Sequence, residues 1–160
     1  MKITNIIRDE DRNEVVEQVY MLIKSEPRLT PRSKAWIKRI MKAGGLFAAI
    51  DAKGQVGSFI VREHVWGTYY EIKSWYCRPE ARSTGIAHKV FRADVSLPGE
   101  KFLSVSFFPQ MIERLRRYGY VPASYWSLPI MVNLIFLMKR PWRSVGRHIF
   151  RTKSYLAIRR

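Results

Sequence analysis

A single α/β domain is what this chain predicts, and three observations carry the prediction. Its 160 residues suit one domain and suffice to bury about two thirds of the unfolded surface. Hydrophobic residues make up 47% and aromatics 13%, which excludes a disordered chain despite the charge. Strand-like runs also alternate with helix-periodic ones, most plainly over 69–91. There an aromatic run (Tyr69, Tyr70, Ile72, Trp75, Tyr76) ends at Pro79, a short loop follows, and Ile86, Ala87, Val90 and Phe91 fall at helical spacing.

In chain order, residues 3–7 can form a first strand. Asp11 with Glu14 reads as a capping pair before Val15, Val16, Val19, Leu22 and Ile23, an amphipathic helix over about 11–24 that Glu26-Pro27 ends. Thr30-Pro31 reads as N-cap and first residue of a second helix, with Trp36, Ile37, Ile40 and Met41 as its buried stripe and Gly44-Gly45 as its stop. The basic side chains on that helix (Arg32, Lys34, Lys38, Arg39, Lys42) read as a solvated face. Residues 46–50 and 55–63 flank Asp51-Ala52-Lys53-Gly54 as a hairpin, and a third strand follows Trp66-Gly67-Thr68.

After the helix at 86, Pro98-Gly99-Glu100 is a turn and 102–107 a buried strand; Pro109-Gln110 opens a helix that runs through Tyr118 and ends at Gly119-Tyr120. Residues 125–128 and 132–138 are expected as the final strands. The run 130–138 is apolar apart from Asn133, far short of the roughly 20 residues that span a bilayer, so a core strand and no membrane partner are expected. Residues 1–140 are read as the domain and 141–160 as a basic, partly ordered C-terminal extension docked through Phe150, Tyr155, Leu156 and Ile158. There is no internal repeat and no low-complexity segment.

Charge is the strongest compositional signal. The chain carries 29 Lys and Arg against 13 Asp and Glu, a formal net charge of +16. Its last acidic residue is Glu113, after which eleven cations follow without a carboxylate. Such a surface attracts polyanions through counterion release, and nucleic acid or a nucleic-acid-bound protein is the expected partner. The one cysteine, Cys77, excludes an internal disulfide and fits a reducing, intracellular (cytoplasmic) setting. The amino terminus has no long apolar run of the secretory kind. His64, His88 and His148 share no ligand spacing, so no metal is expected.

The stretch Arg82-Ser83-Thr84-Gly85-Ile86-Ala87, led in by Arg78-Pro79-Glu80, resembles the acyl-CoA-binding signature of the GCN5-related N-acetyltransferases (GNAT), Gln/Arg-x-x-Gly-x-Gly/Ala. A glycine at the start of a helix lets the backbone approach a ligand, and the unpaired N–H groups and dipole of the first turn favour a pyrophosphate. The resemblance implies a GNAT-like domain with a mixed, mostly antiparallel central sheet of about six to seven strands flanked by about four helices. It implies acetyl-CoA or another acyl-CoA as cofactor, its pyrophosphate held by the amides of Arg82, Ser83, Thr84, Gly85, Ile86 and Ala87. Its pantetheine arm would run beside Tyr76 and Cys77, where a main-chain amide polarises the thioester carbonyl. Glu71, on the strand leading to the loop, is the implied general base.

Two departures from the family pattern bear on catalysis. The Tyr that usually stands four residues before the last helix's Gly is here Leu115, and Phe108 and Pro109 fill the place of the usual Asn. Tyr118 or Tyr120 could supply the missing acid, although a Tyr beside a helix-ending Gly also serves packing. Cys77 is a nucleophile only if a partner lowers its pKa; otherwise it is a structural thiol. Two functions therefore follow from the sequence: an acyl-CoA-dependent N-acetyltransferase acting on an amine, either on or near nucleic acid or in a small molecule, or a catalytically degenerate GNAT scaffold that binds nucleic acid or serves structurally, as in a virus particle.

Overall fold

A computed structural model describes residues 2–4, 12–95, 99–106, 109–139 and 155–159. The chain divides into two compact units: Met1–Glu63 with Lys73–Leu97, and His64–Ile72 with Pro98–Arg160.

In the first unit, β1 (Lys2–Thr4), β2 (Leu46–Ile50), β3 (Val56–Trp66) and β4 (Tyr69–Cys77) lie side by side in that order. β1 pairs antiparallel with β2, and β2 with β3. Helix α1 (Arg12–Ser25) buries Val15, Val16, Val19, Leu22 and Ile23, the stripe expected of it, and α2 (Lys34–Lys42) buries Ile37, Ile40 and Met41. Both stripes pack with Leu46, Ala48, Val56, Phe59 and Val61 into one core. Successive strand residues point to opposite faces, so Phe47 and Ala49 face the other way. α3 (Ile86–Val95) packs against β2 and supplies buried Val90 and Phe91.

The start of α2 differs from the sequence expectation. The N-cap is Ser33, whose hydroxyl accepts from the Trp36 amide at 3.2 Å, and Thr30-Pro31 lies ahead of the helix. Serine ranks above threonine as a cap, and capping at Ser33 satisfies an amide that a start at Pro31 would have spent inside the helix. Asp11, the expected cap of α1, lies outside the described residues. After α2, Gly45 is forced by crowding rather than by torsion. A Cβ there would stand 2.3 Å from the Arg62 carbonyl oxygen, because the Arg62 amide donates to the Gly45 oxygen at 2.8 Å.

In the second unit, β4 pairs with β5 (Lys101–Ser106) in parallel, from Tyr69↔Lys101 to Ile72↔Ser104. β7 (Tyr155–Arg159) lies antiparallel between β5 and β6 (Val121–Ala123). The sheet is therefore mixed, as expected of this α/β chain, and its parallel step requires a crossover between β4 and β5. Helix α4 (Pro109–Arg117) packs against β5 and β7.

Two expectations for this unit are corrected. Residues 130–138, expected in a strand, form helix α5 (Ile130–Met138), and Tyr125–Ser127 is a turn of 3-10 helix. The strand of this region is β6, an edge strand that tolerates Pro122. Pro129 holds the helix entrance at φ −54°, and its carbonyl accepts the Asn133 amide at 3.0 Å. Leu128, Val132 and Phe136, spaced by four, are the buried stripe and pack on Val65, Leu103 and Ile158. Helical periodicity is invisible in the sequence because the outward face is apolar too. Residues 155–159, expected in a basic extension, form a strand inside the sheet; 140–154 lie outside the described residues.

Candidate functional site

The signature stretch begins where β4 ends. Arg78 fastens its entrance: the Arg78 amide donates to the Gly57 oxygen at 2.9 Å, and its Nε donates to the Val56 oxygen at 2.7 Å. The expected loop is a 3-10 helix, Pro79–Thr84, started by a proline whose φ is fixed for a helical first residue. Thr84 Oγ1 donates to the Ala81 oxygen at 2.7 Å, and buried Ala81 anchors the turn. Gly85 then takes φ +72°, ψ 4°, a left-handed conformation that costs other residues roughly 1–2 kcal/mol. This bend lets one helix stop and the next begin at a new angle. The first intrahelical bond of α3 runs from the Lys89 amide to the Gly85 oxygen.

Side chains sort cleanly along this turn. Arg82, Ser83, Thr84 and Gly85 are exposed, Ala87 is half-buried and Ile86 is buried. Arg82 folds back so that its Nε donates to the Cys77 oxygen at 3.3 Å. The space into which a Gly85 Cβ would point is open. His88 and Lys89 are exposed in the first turns of the helix that follows, and Arg92 is exposed in its last turn.

Behind the turn, Tyr76 stacks on Phe59 with ring centroids 5.7 Å apart. Its carbonyl accepts from the buried Ser58 hydroxyl at 2.7 Å. Burial pushes the Cys77 thiol above its ordinary pKa, outweighing the Ser58 hydroxyl, Arg82 and the Ala87 amide, which favour the thiolate. That answers the sequence question about Cys77: its surroundings suit a neutral thiol, the reverse of an activated nucleophile. Sequence reasoning passed over Arg78 as an anchor and Ser58 altogether. Arg78 stood in the quoted lead-in, whereas a lone serine in a strand gives no signal.

The remaining candidates lie in the second unit. Glu71 is 3% exposed, a carboxylate buried within its strand. It is in parallel register with Leu103, whose side chain packs beneath α5, so the carboxylate sits on the face that α5 covers. Tyr118 and Tyr120 flank Gly119, whose φ of 83° terminates α4. The Tyr120 amide donates to the Leu115 oxygen at 3.1 Å, and the Gly119 amide to the Arg116 oxygen at 2.9 Å. These two bonds define a Schellman motif, in which the residue after the glycine packs back on the last turn. Tyr120, 2% exposed, and Leu115 are both core side chains, which accounts for Tyr120 as packing; Tyr118 is half-buried. Phe108 lies outside the described residues. Among the described residues no group of three His, Cys, Asp or Glu could hold a metal ion.

No protein-family model matches the sequence, and no curated protein matches it either. Solved structures do match in fold. The N-acetylglutamate synthase from Neisseria gonorrhoeae, crystallised with coenzyme A and N-acetylglutamate, superposes over 99% of this chain with a TM-score of 0.71 at 15% identity. The present chain spans 34% of that enzyme's length. Ard1 from Thermoplasma volcanium matches over 99% of this chain and 95% of its own, with a TM-score of 0.68 at 15% identity. A GNAT-family acetyltransferase from Brucella melitensis, in complex with acetyl-CoA, matches over 75% of this chain and 82% of its own, with a TM-score of 0.58 at 16% identity. The chain has the GNAT fold.

Proposed function

We propose that the protein is an acyl-CoA-dependent N-acetyltransferase that moves an acetyl group from acetyl-CoA to an amine. The observation that carries this reading is the turn at Arg82–Gly85: exposed, bent by a left-handed glycine, and leading into the first turn of α3 in a chain of GNAT fold. The residues present fit a pyrophosphate. No side chain plugs the space beside Gly85, the first-turn amides of α3 have no acceptor within the helix, and exposed Arg82 and Lys89 stand on either side of Gly85 with positive charge. A coenzyme A complex of the Neisseria enzyme and an acetyl-CoA complex of the Brucella enzyme, both of the same fold, support the choice of ligand.

When bound, acyl-CoA supplies an activated thioester. The chain's own contribution is to hold the nucleotide end at residues 82–87 and to offer the main chain of Tyr76 and Cys77 alongside the pantetheine arm. Glu71, a buried carboxylate, accepts the amine proton, directly or through water. Of the two tyrosines that could supply the acid, Tyr118 is the less buried and is assigned the protonation of the leaving thiolate. An acceptor on or near nucleic acid is the finer reading that the basic excess supports, and steeply salt-dependent retention on DNA tests it.

Calorimetry with acetyl-CoA tests the core of the proposal. Wild-type protein binds and Gly85→Glu, which adds bulk and negative charge at the turn, does not; absence of wild-type binding removes the enzyme reading. Glu71→Gln keeps binding and loses thiol release. One observation favours a second reading, a scaffold that binds acyl-CoA without turning it over: Leu115, at the position the family pattern gives to a tyrosine, is a buried core leucine. Binding without thiol release across a panel of amines selects that reading.

A further inference from the structure

Helix α5 is apolar on the side that its own unit does not use. Ile130 is 84% exposed, Leu134 50% and Met138 75%, with Met131 beside them. At 100° per residue these four fall within one arc, opposite Val132 and Phe136. Trp126, in the turn just before, is 92% exposed. The one polar side chain of the helix, Asn133, points its amide at the Leu128 carbonyl, so the outer arc holds no charge at all. Lys139 and Arg140 follow the helix directly, and the chain holds no acidic residue from 114 onward.

We propose that this face of α5 lies on an anionic lipid bilayer, with the helix axis in the interface plane. With its inner side packed in the core, the helix offers a bilayer only its outer apolar arc, which would sink to the boundary between headgroups and acyl chains while the cations after its end stay at the headgroups. Tryptophan is enriched at that depth, and clustered Lys and Arg add attraction to anionic headgroups. Charge also selects among occupants. A second copy would bring another +16 against the first, and nucleic acid would engage the cations while leaving the apolar arc in water. An anionic bilayer satisfies both features. The helix lies on the membrane and does not cross it, since no described helix is long and apolar enough to do so. The inference stands apart from the acyl-transfer reading, because none of its residues belongs to the proposed CoA site.

Sedimentation of the full chain with phosphatidylcholine vesicles, with and without roughly one third phosphatidylglycerol, tests it. The protein pellets with the anionic vesicles and remains in the supernatant with neutral ones, and added salt weakens the binding. The double variant Ile130→Gln with Leu134→Gln loses at least about tenfold in partition, since one buried leucine is worth on the order of that factor. Its circular dichroism is unchanged because both side chains are exposed. Equal binding by the double variant, equal binding to neutral vesicles, or no pelleting at all each overturns the proposal. A wild-type homodimer that the double variant dissociates, without vesicle binding, assigns the face to a second copy.

Discussion

In the first unit charge is taken inside and neutralised. Arg62 meets Asp94 at 3.5 Å, with both side chains buried, and its guanidinium lies over the Phe47 ring. Glu63 draws both Lys73 and Arg39. The second unit distributes charge otherwise: it holds 12 of the 29 basic residues but three of the 13 acidic ones, and its ion pairs on α4 both use Glu113. It also leaves one full helical arc of apolar surface in solvent. The contrast teaches that the same overall excess of cations does different work in the two places, structural in one and outward-directed in the other.

The sharpest way to break that contrast is Asp94→Ala. Removing the carboxylate takes the opposite charge from the buried Arg62 guanidinium, and breaking a buried pair from one side costs about 3–5 kcal/mol, read from the denaturant midpoint. A loss below about 1 kcal/mol would make the pair no more than a surface contact. Next, Phe136→Ala empties the inner side of α5 at a cost of about 3–5 kcal/mol, measured the same way. Gly45→Ala forces the β2–β3 backbones apart and lowers stability by about 1–3 kcal/mol. Leu134→Gln, two residues before Phe136 on the same helix, changes stability by no more than about 0.5 kcal/mol. A large effect there would show that the outer arc is core after all.

The smallest expected effect belongs to Cys77. A thiol whose folded pKa is raised holds its proton longer in the native state than in the unfolded chain. Its contribution is complete below the ordinary thiol pKa and fades as pH climbs through the raised value. Alkylation of Cys77 should therefore reach half its limiting rate at a higher pH than alkylation of a free cysteine peptide.

These outcomes also mark where the sequence was readable. The passage from β4 to α3 was legible because proline and glycine punctuate it: Pro79 starts the 3-10 helix, and Gly85 takes the positive φ. α1 was legible because its apolar stripe has polar residues on the other side. α5 was not, for the physical reason that makes it interesting: a helix apolar all round shows no period, and its length matches a strand run. Glu71 was legible as a candidate but not as a buried one, since burial depends on α5 closing over its face. Ser33 went unread because Thr30-Pro31 just ahead of it fits the cap-and-proline pattern, and packing was already a reading of Tyr120, to which its burial and the Schellman bonds give a physical basis.

β7 carries a consequence for synthesis. Ribosomes deliver β5 and β6 first, and the strand that must slot between them emerges only after a long intervening stretch. Until residues 155–159 arrive, both neighbours present bare main-chain edges, the kind of template on which nascent chains stick to one another. Chaperone demand should accordingly peak between the emergence of β6 and that of β7.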